Sequence, residues 1–177
     1  MQLTTRRLIL RDLTQKDAKN ITKEANNLKV SRYLLLLSCP YLLKHAKGFI
    51  NECVKDTKLK PRKNYNLGIE LKSERKIIGM VGLCSVDKYQ GTATLGLWLG
   101  QDYWRKGIAT ESLKKIISFA FNKLKLRRLE AGVFVENKPS YSMIEKLGFK
   151  LEGTKIKSRK AKATGKIHDE KIYALLK

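Results

Sequence analysis

The stretch from residue 65 to residue 136 changes its hydrophobic period, and that change constrains the fold more than any other feature of the chain. "YNLGIEL", "KIIGMVGLCSV" and "TATLGLWLG" are strand-like apolar runs separated by "KSER" and "DKYQG", breaks of hairpin length, so the spacing predicts an antiparallel meander. After "QDYWRKG" the period becomes helical, with Ala109, Leu113, Ile116, Ile117, Ala120, Phe121 and Leu124 on one face. "RRLEAGVFVEN" then returns to strand. A strand, helix and strand over residues 92–136 make a crossover whose two strands run parallel, in the right-handed sense such connections take.

The flanking segments extend this sheet. "RRLILRDL" reads as a short strand, and Thr14 with Asp17 starts a helix running to about Asn27. Pro40 introduces a second helix, roughly Leu43 to Asp56, with Ala46, Phe49, Ile50, Cys53 and Val54 at helical spacing. Asn137 and Pro139 open a helix through Leu147, which Gly148 stops. Two final strands, about Phe149 to Arg159 and Ile167 to Leu176, close a hairpin across the basic segment "KIKSRKAKATGK". The expected fold is α/β (α+β): a mixed, mostly antiparallel central sheet of about seven strands with about four helices, in one domain over residues 1–177.

Composition excludes several classes. With 42% apolar and 31% charged residues the chain is neither disordered nor membrane-spanning, and "YLLLLSCPYLL" is broken by Ser38, Cys39 and Pro40 before it could cross a bilayer. No signal peptide is apparent after Arg6 and Arg7, so a cytoplasmic location is expected. Cys39, Cys53 and Cys84 have neither disulfide nor metal-ligand spacing, and no metal is expected. Lys and Arg number 38 against 16 Asp and Glu, a net charge of +22. That excess favours anionic partners, including weak contact with nucleic acid, or else reflects a merely lysine-rich surface. Nothing in the pattern excludes a homodimer through a sheet edge or the helices.

Chemistry enters at the glycine turn. If the strand ending at Gly100 passes through "QDYWRKG" into a helix near Ile108, the N–H groups of Arg105, Lys106, Gly107, Ile108, Ala109 and Thr110 point outward unpaired. Such a helix start binds phosphate oxygens, and Gly107 permits close approach. The turn is neither a Walker loop nor a dinucleotide fingerprint, and by itself it reads equally as an ordinary helix start. A second helix start, at Asn137, Pro139 and Ser140, follows the next strand, where open α/β sheets place their ligands.

Taken in order, "LTTRRLILRDLTQKDA", "LGLWLGQDYWRKGIATESL", "NKPSYSMIEKLGF" and "HDEKIYALL" resemble the GNAT N-acetyltransferase family, specifically its ribosomal-protein alanine acetyltransferase branch. The resemblance implies acetyl-CoA as cosubstrate and an amine as acceptor. It places the pyrophosphate on Arg105 to Thr110, the pantetheine arm along Leu97, Trp98 and Leu99, and Asn137 on that arm. Trp104 stands where the turn motif usually opens with Gln or Arg. The tyrosine acid of many relatives is replaced by Ile144, and in this branch the serine at Ser140 is the proposed replacement. Ser140 would alternatively satisfy backbone donors in its own helix turn. Tyr141 is a reserve candidate, Glu70 and Glu136 are the candidate bases, and His168 with Asp169 suits a hairpin-fixing role.

The weakness of the candidate bases bears on the acceptor. An α-amine has a pKa of about 7.8 and a lysine amine about 10.4, so their neutral fractions at pH 7 differ by roughly a few hundred-fold. The net charge would also repel a polyamine. The expected acceptor is therefore a protein N-terminal α-amine, such as that of a ribosomal protein. A small-molecule amine (antibiotic or polyamine) is the alternative enzyme reading, and a non-catalytic nucleic-acid-binding module is the alternative outside enzymes.

Overall fold

A computed structural model describes residues 1–177 and shows eight strands in one sheet. These are β1 (Gln2–Thr4), β2 (Leu8–Arg11), β3 (Tyr65–Leu71), β4 (Lys76–Asp87), β5 (Thr92–Leu99), β6 (Arg128–Phe134), β7 (Lys150–Lys160) and β8 (Ile167–Leu176). Their order is β1-β2-β3-β4-β5-β6-β8-β7, antiparallel except where β5 meets β6. The eighth strand is β1, which lies ahead of the run expected as a strand at residues 6–13 and pairs Leu3 with Leu10 across a tight connection.

Five α-helices flank the sheet: α1 (Ala18–Ala25), α2 (Leu28–Ser31), α3 (Leu43–Lys58), α4 (Ile108–Ser118) and α5 (Lys138–Lys146). The expected first helix is shorter than Thr14 to Asn27. A single 3-10 turn under the Thr14–Asp17 capping box precedes α1, and Asn27 caps a separate α2 by accepting from the Lys29 N–H at 2.9 Å. Leu124 also falls outside α4, which opens into a π-turn over Phe119–Lys123. That turn rotates the last apolar positions relative to a regular helix.

Each face of the sheet has its own core. Val81, Leu83, Leu95 and Leu99 pack with Ile108, Leu113 and Ile116 of α4, while Met80 on the opposite face packs with Ile21 of α1 and Ile50 of α3. A bulge explains how Ile77 and Ile78, adjacent in sequence, join different cores. Ile69 pairs with Gly79 and Glu70 with Ile77, so Ile78 is an extra residue that reverses the alternation.

Arg11 ties the amino-terminal elements together. Its Nη1 and Nη2 donate to the two Asp17 oxygens at 2.9 and 2.8 Å, and its Nε to Glu70 Oε2 at 2.6 Å. Burial pushes the Asp17 carboxyl up, but hydrogen bonds from Arg11 and Thr14 outweigh it and hold the pKa below the ordinary value. A carboxyl titrating lower when folded stabilises fully above its unfolded pKa, and loses that contribution as pH falls through the folded value. The thermal midpoint should therefore drop on acidification below about pH 4, and Asp17→Asn should cost about 2 kcal/mol at neutral pH while flattening that acid dependence. Thermal melts of both proteins across pH check this.

Candidate active site

Strands β5 and β6 pair only from Thr92–Arg128 to Thr94–Glu130 and then part. Each keeps its other neighbour: β5 stays on β4 as far as Leu99, and β6 on β8 as far as Phe134. Gly100 N–H donates to Ile78 O at 2.9 Å, so strand alternation turns the backbone groups of Leu95, Leu97 and Leu99 toward the gap. The Leu99 carbonyl is taken by Trp104 Nε1 at 2.9 Å. Leu97 keeps an open N–H and C=O, the groups a ligand with peptide-like amides can pair.

Beyond β5 the chain makes a short turn and enters α4 with Gly107 as N-cap at φ 73° and Arg105 at φ 59°. The N–H groups of Arg105 to Thr110 donate to nothing in the protein; the first helical bond is Glu111 N–H to Gly107 O at 3.0 Å. Six free donors, the positive helix end and the open face of Gly107 form a cradle for phosphate oxygens. Ile108 contributes its backbone only, since its side chain is buried.

A clamp holds this cradle, and sequence reasoning missed it. Glu111 Oε1 accepts from Thr5 Oγ1 at 2.6 Å and Arg7 N–H at 3.0 Å, and Oε2 accepts from Arg7 Nε at 2.7 Å. Arg7 Nη1 reaches on to Lys106 O at 2.9 Å. Burial pushes the Glu111 carboxyl up, but these hydrogen bonds dominate and hold it ionised. Charge is thus placed beside the turn by a residue almost a hundred positions away, with no local pattern to announce it.

On the other side of the gap, Asn137 and Ser140 at the start of α5 line a crevice of about 160 Å³ with Leu97, Phe134 and Ile144. Neither the Asn137 amide nor the Ser140 hydroxyl has a hydrogen-bond partner in the protein; only the Ser140 N–H is used, to Asn137 O at 3.0 Å. The side chain of Ser140 is therefore not satisfying its helix. Tyr141 points elsewhere, under the Lys171 ammonium at 4.0 Å and beside Tyr173.

The two candidate bases lie outside this crevice. Glu70 is held by Arg11, and Glu136 accepts from His168 Nδ1 at 3.1 Å. A backbone hydrogen bond within Glu136 and the His168 contact lower its pKa despite partial desolvation, which weakens it as a base. His168 stacks on Phe134 at 4.5 Å and so ties β8 to β6, while within the carboxy-terminal hairpin Asp169 Oδ1 accepts the Lys157 N–H at 2.6 Å. The carboxylate brought into the crevice is instead Glu170, 7% exposed, which accepts from Arg159 Nε at 2.9 Å. It overhangs Gly132, where an added Cβ would lie 2.4 Å from Glu170 Oε1. Alternation along β8 was a signal for an inward residue here, but nothing local distinguished Glu170 from Glu70.

Through the sheet from the cradle, a larger cavity of about 490 Å³ opens on the α1 and α3 face. Ile21, Phe49, Met80 and Trp98 form its walls, and the segment Leu34 to Leu37 its rim. Trp98, expected along the cofactor arm, puts its side chain here. Leu34, Leu35, Gly96 and Leu97 border both cavities, so the two spaces meet at the middle of β5. The arrangement suits a phosphate-bearing ligand with an amide-rich arm on one side and a second reactant on the other.

Residues 7–150 match the family model described as "Acetyltransferase (GNAT) domain". "Uncharacterized N-acetyltransferase p20" of Bacillus licheniformis is 32% identical over 176 residues, 99% of this chain and 96% of that protein. "Putative ribosomal N-acetyltransferase YdaF" of Bacillus subtilis is 34% identical over 113 residues, 62% of this chain and 60% of that protein. The microcin C7 self immunity acetyltransferase MccE, solved with acetyl-CoA and AMP, superposes with a TM-score of 0.84 at 25% identity, covering 98% of this chain and 94% of that one. Free amides at a glycine turn, a strand gap beside it and this match over most of the chain lead to one conclusion: the protein belongs to the GNAT family of acetyl-CoA-dependent N-acetyltransferases.

Proposed function

We infer that the chain acetylates the N-terminal α-amine of a protein, such as a ribosomal protein. The observation that carries this reading is the chemistry of the acceptor-side cavity: no carboxylate is among the residues lining it. A polyamine entering there would lose hydration at several cationic centres with no counter-charge to replace it. An α-amine is partly neutral at pH 7 and leaves an uncharged chain behind it. The similarity to YdaF supports the same acceptor class. The similarity to MccE supports the runner-up, a small-molecule amine.

The residues present fit acetyl-CoA. The N–H groups of Arg105 to Thr110 would hold its pyrophosphate, the Leu97 backbone and the Asn137 amide its arm. Bound acetyl-CoA supplies a thioester, an acyl group already activated toward amines. The rate then rests largely on holding the amine at the junction of the two cavities. Ser140 Oγ, free of protein partners, would pass its proton to the departing thiolate while taking one from the acceptor nitrogen as the tetrahedral adduct collapses. Glu170, the single carboxylate bordering either cavity, attracts the incoming ammonium and accepts its proton directly or through water.

Three measurements test the reading. Gly107→Val forces a β-branched residue to φ 73° at an exposed N-cap, so calorimetry should show acetyl-CoA binding weakened at least about 10-fold, with the melting temperature lowered by several degrees and the protein still folded. Ser140→Ala should lower kcat about 100-fold while leaving acetyl-CoA affinity nearly unaltered; an unchanged kcat removes Ser140 as the acid. Thiol release should be faster with unblocked peptides than with Nα-blocked, lysine-containing peptides or spermidine. Faster release with spermidine would reassign the acceptor.

A further inference from the structure

Resting on the α-amine reading above, we propose that the acceptor carries a large apolar side chain, such as leucine or phenylalanine, next to its reactive amine, and that the 490 Å³ cavity is the pocket for that side chain. Part of the depth of the pocket comes from a missing side chain at Gly96. Gly82 and Gly96 are register partners on adjacent strands and both border the cavity; a Cβ at Gly96 would meet nothing within 4 Å, whereas one at Gly82 would lie 2.8 Å from Asn66 Oδ1. A methyl or hydroxymethyl group would leave most of this space and its apolar walls wet, whereas a branched or aromatic side chain would bury them.

The rim points the same way. Leu36 is 77% exposed, and Leu35 and Phe49 are each 37% exposed, a cluster of apolar surface around one opening of the kind that marks binding sites. Some polar groups of the cavity are engaged with the protein. The Leu42 N–H donates to His45 Nδ1 at 3.1 Å, which leaves the imidazole proton on Nε2, and Asn66 Oδ1 accepts from Cys84 Sγ at 3.5 Å. The Tyr41 hydroxyl, the Trp98 indole N–H and the Asn66 amide nitrogen have no protein partner, a few polar atoms among mostly apolar walls. Lys162 adds a charge. Its N–H donates to Leu35 O at 3.2 Å, while its ammonium has no carboxylate or hydrogen-bond partner. A cation at the rim repels an ammonium and so turns the acceptor's amine inward. Because Leu34, Leu35, Gly96 and Leu97 also border the cofactor crevice, a side chain lodged in the pocket leaves its α-amine where the two spaces join.

The test pairs side-chain size with acceptor type. Thiol release is measured for peptides beginning with Ala, Ser, Leu or Phe, and for alaninamide, leucinamide and spermidine. Calorimetry in the presence of coenzyme A gives Kd for the same peptides without turnover. The expected result is kcat/KM at least about 10-fold higher, and Kd correspondingly lower, for Leu-first and Phe-first peptides than for Ala-first. The solvent-facing variant Leu36→Asp should shrink that ratio toward one. Equal or better use of Ala-first and Ser-first peptides would overturn the pocket assignment while leaving the α-amine reading intact, as would a ratio unmoved in Leu36→Asp. Turnover of leucinamide over alaninamide with no peptide accepted would keep the pocket and remove the protein-terminus reading. Acetylation of spermidine alone would overturn both.

Discussion

A backbone group that loses its ladder partner must find another, and the parting of β5 from β6 after Thr94 creates that need at the centre of this molecule. Both strands are held on their outer sides, β5 by β4 and β6 by β8, so the gap cannot close by slippage. The same gap leaves Leu97 with free polar groups at the crevice that the start of α5 lines. Cofactor binding in this fold amounts to supplying the missing partner. The larger cavity meets this gap as well, bordering the crevice at Leu34, Leu35, Gly96 and Leu97.

Charge economy shapes the rest. With 16 acidic residues against 38 basic ones, carboxylates are scarce, and the structure commits them to architecture. Asp17 and Glu70 hold Arg11, Asp12 holds Arg62, Glu130 and Glu152 hold Arg128, and Glu111 fastens the amino terminus to the phosphate cradle. What remains at the crevice is Glu170, itself tethered to Arg159. The surplus cations face outward, most densely along β7, whose residues are exposed throughout. Such an edge resists unwanted strand pairing and is open to anionic surfaces.

Local signals carried the reading of the architecture a long way. The hairpin breaks at "KSER" and "DKYQG", the parallel crossover, the Gly148 stop and the final hairpin all correspond to the observed elements, because period, turn residues and caps act over only a few positions. The departures are also local in origin. β1 formed ahead of the strand expected over residues 6–13, α2 formed under an Asn27 cap between the two expected helices, and a π-turn ended α4. Each depends on a choice between nearly equal backbone states that tertiary contacts decide.

At the site the division has a physical cause. Gly107 and Asn137 were legible as helix starts, because short motifs specify backbone conformation at helix ends. Long-range packing decided everything that required residues distant in the chain to meet: Arg7 and Thr5 on Glu111, Glu170 over Gly132, and Leu34 to Leu37 beside Trp98. Side chains of one type are chemically alike until a neighbour differentiates them, and the neighbours here lie on other strands. The sequence by itself thus determined the strand, helix and strand crossover and the glycine turn that opens α4, because period and turn residues act locally. Only the tertiary structure decided which carboxylate reaches the crevice and what shape of amine can stand opposite.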